Sequence, residues 1–245
     1  MMRVYLEKII PKDKFIIFNE PDQLHHLKDV LRVKVGEKVA VFDNLGQEYM
    51  TRVCEIRSQD LKLGIIAKKT RQDMGLEITV ACAIPKQVKF DDIVDKLTQL
   101  GVSVIIPLYT QRVIVRLDAE RKISRTLRWE KIALSAAKQS QRNMLTLVKP
   151  VMDFKDALVA AQTFDLKLIP TLEGNRESLK VIFKKLDVKI KRVIVFIGPE
   201  GDFTLEEIAA AKAAGFLPIT LGQQVLRVDT AAIAVVSYLK LNEVD

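Results

Sequence analysis

The sequence predicts a chain of two regions: a small β-barrel over residues 1–72, followed by an α/β domain with a parallel sheet over residues 73–245. Three observations carry this. From Val4 to Thr70 apolar and polar residues alternate with period two between turn signals. From Leu76 onward, continuous apolar runs alternate with helix-period segments. Residues 193–231 then hold two strand-loop-helix units in succession, each with glycine in the loop at the carboxyl end of its strand, where open α/β sheets bind ligands.

In the first region VYLEKII, KFIIF, EKVAVFD, EYMTRVCEI and LKLGIIAKK read as strands. Gly36 and the cluster Asp43-Asn44-Leu45-Gly46 mark turns. One helix interrupts them, with Pro21 at its start and Leu27, Val30 and Leu31 expected to face inward. Short strands at this spacing suggest a small barrel. The charged stretch KKTRQDMG (68–75) marks the expected boundary between the regions.

In the second region LEITVACAI is a strand, and a helix from Phe90 to Leu100 carries the apolar stripe Ile93, Val94, Leu97 and Leu100. VSVIIPLY (102–109) is the next strand. Helices are expected at 124–141, 153–161 and 179–186, with the strand LKLIP at 166–170. Trp129, the only tryptophan, is expected to pack on the sheet.

The final stretch is the most informative. Val193 to Phe196 has the continuous apolar run of a strand buried on both faces. It enters Ile197-Gly198-Pro199-Glu200-Gly201, where two glycines and a proline end regular structure. Thr204 and Glu207 form a capping box for the next helix, and Gly215 closes it. The strand Phe216–Leu221 follows, then a loop with Gly222. Asp229 or Thr230 is expected to cap the last helix. Neither GxxxxGKS/T nor GxGxxG is present, which excludes a phosphate-binding loop and a dinucleotide fingerprint. Backbone groups suited to a neutral planar ligand remain, with Glu200, Arg227 and Asp229 beside them.

Composition narrows the class. Of 245 residues, 49% are hydrophobic and 29% charged, as in ordinary globular proteins. No signal peptide or membrane span is legible, and Cys54 and Cys82 lie far apart, as in a cytoplasmic protein with reduced thiols. His25 and His26 are adjacent and cannot form a metal site alone, so no metal is expected. The formal charge of +8 invites nucleic acid. Residues 111–142 carry nine basic and three acidic side chains, net +6. Arg121, Lys122, Arg125 and Arg128 in that segment could track a phosphate backbone.

Three segments, LIPTLE (168–173), IGPEG (197–201) and LGQQVLRVDTA (221–231), resemble in order and spacing the SPOUT methyltransferases. The resemblance is closest to the RsmE type, which methylates N3 of a uridine in bacterial 16S ribosomal RNA of the small subunit. HHLKDVLR (25–32) and AAKQSQR (136–142) extend the likeness over nearly the whole chain. The resemblance implies a PUA-like barrel that helps bind RNA and a knotted (trefoil) SPOUT-type parallel-sheet domain holding S-adenosyl-L-methionine (SAM). It also implies a homodimer. By motif position the cofactor would meet Leu172, Ile197, Gly198, Gly201, Leu221, Gly222, Val225, Leu226 and Arg227. Arg227 is the candidate for stabilising charge on a uridine carbonyl, and Glu200 the available carboxylate. RNA candidates are Arg3, His26, Arg32, Arg112, Arg121, Arg125, Arg128 and Arg142.

Two departures touch the chemistry. The family's GPEGG is GPEGD here, with Asp202, and its LRxETA is LRVDTA, with Asp229, for which a capping role is expected. Two other readings stand beside this one: a non-catalytic RNA-binding protein, supported only by those changes, and a methyltransferase of the same superfamily acting on ribose 2′-oxygen. The latter group carries an early Asn-Arg motif, and residues 76–142 contain no Asn.

Overall fold

Alternation in the first region produces a curled five-stranded sheet. The computed structural model describes residues 2–43, 46–70, 75–86, 90–114, 117–142, 144–186 and 190–242. The chain divides into two compact units, residues 1–73 with 137–145, and residues 74–136 with 146–245. The boundary expected at 72/73 falls outside the described residues, as do Asn44 and Leu45 of the expected turn.

In the first unit the strands are β1 (Met2–Tyr5), β2 (Phe15–Phe18), β3 (Lys38–Phe42), β4 (Gln47–Ile56) and β5 (Leu61–Thr70), in the order β1-β3-β4-β5-β2. β1 stops at Tyr5, short of the expected Ile10, because its parallel partner β3 ends opposite it at Phe42. Register shifts between Met50 and Thr51 and between Val53 and Glu55 bend the long β4–β5 pair. Phe18, Leu27, Val39, Val41, Leu61 and Leu63 fill the concave side. The expected helix is present as α1 (Pro21–His25), but it widens into a π-helical turn over His26–Val30, closed by the Leu31 N–H donating to the His26 carbonyl. That widening changes which side chains face inward. Leu24 and Leu27 are buried, whereas Val30 and Leu31 are 59% and 47% exposed, contrary to expectation.

The second unit is an all-parallel sheet with its crossovers made by helices. Its strands are β6 (Glu77–Ala83), β7 (Val104–Tyr109), β8 (Leu147–Val148), β9 (Met152–Asp153), β10 (Leu166–Pro170), β11 (Glu177–Ser178), β12 (Arg192–Ile197) and β13 (Leu217–Thr220). The order is β11-β13-β10-β12-β6-β7-β8, with β9 on β7. Helices α2 (Phe90–Gln99), α3 (Ala119–Gln139), α4 (Phe154–Ala160), α5 (Leu179–Lys185), α6 (Leu205–Ala213) and α7 (Val228–Leu241) complete it. Period two sends alternate residues of each strand to opposite faces. Val193, Val195 and Ile197 of β12 join a core with Ile93 and Leu97 of α2, Ile182 of α5 and Val235 and Leu239 of α7. Ile194 and Phe196 join a second core with Phe154 and Ala157 of α4 and Ile208 and Ala211 of α6. This is why the strands read as continuous apolar runs rather than alternating ones.

Helix α3 begins at Ala119, five residues before the expected start, because the Asp118 carboxylate accepts the Arg121 N–H at 2.8 Å and caps the first turn. Trp129 is buried, its ring centroid 4.6 Å from that of Phe90 and its Nε1–H donating to Asp91 at 3.1 Å. The capping box of Thr204 and Glu207 at α6 is present in both directions, and Gly215 takes φ 86° past the helix end. No helix of the described residues is long and apolar enough to cross a membrane.

Candidate active site

Because every strand of the second sheet is parallel, the carboxyl ends of β6, β7, β10, β12 and β13 share one edge. The turn that follows β12 and the first turn of α6, residues 198–207, are where the neighbouring loops are fastened. From the β6 side the Lys86 N–H donates to Glu200 Oε1 at 2.9 Å. From the β7 side the Gln111 N–H donates to Glu207 Oε1 at 2.8 Å, and the Arg112 guanidinium donates to the carbonyls of Gly201 and Phe203. From the β10 side the Thr171 hydroxyl and the Leu172 N–H donate to Asp202 Oδ2 at 2.8 and 2.7 Å. The turn closes on itself with the Phe203 N–H donating to Asp202 Oδ1 at 2.8 Å.

A cleft opens between the loops after β10, β12 and β13. Leu172, Ile197, Gly198, Leu221, Gly222, Val225 and Leu226, seven of the nine residues expected at a cofactor, line it together. Gly201 and Arg227 lie just beyond this lining. Gly201 is the residue whose carbonyl Arg112 holds, and Arg227 is exposed at the start of α7. Among the described residues the Arg227 guanidinium makes no hydrogen bond or ion pair, so it is free to meet a ligand. Leu172 and Val225 are 47% and 71% exposed at the rim. Apolar side chains placed this way beside backbone amides and carbonyls suit a flat, neutral ring such as adenine. Sequence reasoning missed Thr171, Arg176, Gln224 and Asp202 as lining residues. Thr171 and Gln224 lie inside two of the motif segments, and Asp202 directly follows the third. Arg176 donates to the Thr171 carbonyl at 3.0 Å and steadies that loop.

The glycines are not equivalent. A Cβ on Gly198 would lie 3.0 Å from Phe203 Cε2 and 3.1 Å from Cδ2, and the Phe203 ring is buried against Phe154 at 5.6 Å. A Cβ on Gly201 meets only Arg112 Cδ, at 3.6 Å. Gly198→Ala is therefore expected to lower stability by about 1–3 kcal/mol through overpacking, whereas Gly201→Ala costs about 0.5 kcal/mol or less. Urea melts of the two variants check the contrast, and equal costs would contradict it.

Several expectations are corrected. Helix α7 starts at Val228 with Arg227 as its N-cap residue and no side-chain cap bond. Asp229 lies inside the first turn, where its charge favours the helix dipole, so it does not cap. The Glu200 carboxylate is partly engaged, since it accepts the Lys86 N–H. Burial pushes the Cys82 thiol up, and the Asp229 and Glu200 carboxylates push it further, so Cys82 is a neutral packing residue. No group of His, Cys, Asp and Glu that could hold a metal occurs among the described residues.

The RNA candidates divide by environment. Arg121, Arg125 and Arg128 are exposed along α3, with Arg121 near Asp118 at 3.4 Å and Arg128 Nε donating to Asp91 at 2.9 Å. In the first unit His26 is exposed, and so is Arg32, at φ 51°. Arg142 is half-buried, its carbonyl accepting from Arg3 at 2.9 Å. Arg112 spends its guanidinium on the turn after β12, although the residue is exposed. Arg3 does not fit the RNA role. Its side chain is 6% exposed, it pairs with the equally buried Glu48 at 3.2 Å, and it stacks over Phe42. Breaking a buried pair leaves a buried charge uncompensated, so Arg3→Ala is expected to cost about 3 kcal/mol of stability while leaving the RNA affinity of the folded protein unchanged. Urea denaturation and filter binding separate the two effects.

Fold and site together define a two-unit α/β protein with a ligand cleft at the carboxyl edge of its parallel sheet. Residues 72–240 match the RNA methyltransferase domain family and residues 18–66 the RNA methyltransferase PUA domain family. The chain is 34% identical over 213 residues to the ribosomal RNA small subunit methyltransferase E of Mesomycoplasma hyopneumoniae, spanning 86% of this chain and 87% of the relative. It is 29% identical to the same-named protein of Bacillus subtilis, spanning 89% and 88%. The structure of the Neisseria gonorrhoeae ribosomal RNA small subunit methyltransferase E bound to SAM superposes with TM-score 0.85 at 28% identity, covering 99% of this chain and 98% of that one. A Legionella pneumophila methyltransferase with bound SAM gives TM-score 0.86 at 28% identity, covering 98% and 97%. The chain belongs to the ribosomal RNA small subunit methyltransferase E family of RNA methyltransferases.

Proposed function

We propose that this protein transfers the methyl group of SAM to N3 of a specific uridine in 16S ribosomal RNA of the small subunit, acting in the cytoplasm as a homodimer. The observation that carries the reading is the cleft in which seven residues from three separate motif segments converge beside the free cation of Arg227. SAM supplies an electrophilic methyl on a sulfonium. The chain must hold that methyl in line with N3, a positioning task that the fastened loops suit. It must also admit the base unstacked from its neighbours. As N3 loses its proton, negative charge spreads to the flanking carbonyl oxygens, and Arg227 is the candidate to stabilise it. The Lys86 amide holds Oε1 of Glu200, and Oε2 takes no hydrogen bond among the described residues, so Glu200 is the candidate acceptor of the N3 proton. RNA would be gathered by Arg121, Arg125 and Arg128 on α3 and by His26 and Arg32 of the PUA-like unit.

The order β13-β10-β12, with the three site loops at one edge, supports the trefoil knot that the family resemblance implies. One face of α7 is buried against the sheet, while Ala231, Ile233 and Ala234 are only half-buried, which supports a second copy packing there. Sedimentation measurements would show a dimer.

The decisive experiment is tritiated methyl transfer from SAM to small ribosomal subunits lacking the modification, with nucleotide mapping. Label on a uridine base at N3 is the expected result. Label on a ribose would keep the enzyme class and discard the substrate atom. Absence of label together with absence of SAM binding would leave an RNA-binding protein without activity.

A further inference from the structure

Asp202 stands where the family pattern GPEGG has its last glycine, and its backbone takes φ 61°. Glycine adopts that conformation without cost, and aspartate is among the few other residues that tolerate it. The side chain explains what the exchange adds. One carboxylate accepts three hydrogen bonds, from the Phe203 N–H, the Thr171 hydroxyl and the Leu172 N–H. The last two come from the segment after β10. The β10–β12 ladder itself pairs no further than Leu168 with Val195, so among the described residues beyond Pro170 this carboxylate ties the Leu172 segment to the turn after β12. Thr171 is 5% exposed. Its hydroxyl also accepts the Glu173 N–H at 3.2 Å, and its carbonyl accepts from Arg176 at 3.0 Å, so the bond to Asp202 organises the whole segment. Both Asp202 and Leu172 line the cleft.

We propose that Asp202 is a positioning residue for SAM: its carboxylate fixes the Leu172 segment against the turn after β12, so that the cleft has its binding shape before the cofactor enters. The proposal rests on the methyltransferase reading above. Preorganisation of this kind raises affinity by removing the cost of ordering a loop on binding. It acts on cofactor affinity rather than on the transfer step, because none of the three bonds changes as the methyl moves.

The test uses Asp202→Gly, Asp202→Asn and Thr171→Val in the full chain. In cofactor-free Asp202→Gly, amide hydrogen exchange at Leu172 should accelerate by at least about tenfold, since its acceptor is gone. SAM binding measured by calorimetry should weaken roughly ten- to a hundredfold, the scale of losing charge-assisted hydrogen bonds. The KM for SAM should rise in parallel, with kcat at saturating SAM held within about twofold. Asp202→Asn keeps one oxygen for Thr171 and Leu172 and should lie between glycine and the unaltered chain, as should Thr171→Val. A purely structural role would lower the melting temperature and kcat together without the selective rise in KM, and that result overturns the proposal. So does unchanged SAM affinity in Asp202→Gly when its Leu172 amide is deprotected and the unaltered chain binds SAM. Failure of the unaltered chain to bind SAM would instead sink the methyltransferase reading, and this proposal with it. If the glycine variant does not fold, the asparagine and Thr171→Val variants carry the same comparison.

Discussion

Replacing Arg227 with alanine is expected to reduce methyl transfer by about two to three orders of magnitude, the usual cost of removing one preorganised group that stabilises developing charge. The fold should not change. The Arg227 side chain is exposed and makes no bond among the described residues, and its contribution to α7 is made by the backbone. Its carbonyl accepts the Ala231 N–H at 2.8 Å, and its φ of −67° and ψ of 158° are extended values that alanine adopts freely. Single-turnover transfer to unmodified small subunits, read beside a thermal melt, separates chemistry from stability. Arg227→Lys should recover only part of the rate, because an ammonium keeps the charge but not the planar fork of donors. Near-normal turnover in the alanine variant would remove Arg227 from the mechanism.

The largest stability effect is expected at Trp129. Its truncation to alanine empties a fully buried site on the α2–α3 side of the sheet and is expected to cost about 4 kcal/mol. It also removes the indole donor to Asp91, leaving that carboxylate with Arg128 alone. Trp129→Phe keeps a ring near Phe90 and forfeits chiefly the indole bond, so about 1–2 kcal/mol is expected for it. Circular dichroism during urea unfolding is the appropriate probe, since the variants lack the chain's only tryptophan. A cost below about 1 kcal/mol for the alanine variant would show that the site collapses around the gap.

The class of each region was legible in the sequence because it depends on local rules. Period-two alternation against continuous apolar runs separated the curled sheet from the parallel one. The capping box of Thr204 and Glu207 and the glycine at 215 bounded α6, since both devices act within one turn of helix. The residues lining the cleft came instead from the family resemblance, position by position along three motif segments.

What the sequence by itself determined, then, was secondary structure, layer class and the chemical character of the loops, because neighbours along the chain decide these. Only the tertiary structure decided the use of the individual polar groups. Arg3 was legible as a cation but not as the buried partner of Glu48, which lies on another strand. Arg112 was legible as basic, but not as a clamp on the turn holding Gly201 and Phe203. Asp229 had the chemistry of a cap, yet the helix began one residue earlier, at Val228. Val30 and Leu31 fitted the apolar stripe until a π turn changed its spacing. Asp202 looked like a lost glycine, and only the return of the chain after β10 brought Thr171 and Leu172 within reach of its carboxylate. A hydrogen bond requires its partners within about 3 Å, and for groups far apart in sequence that proximity is created by the packing of the strands.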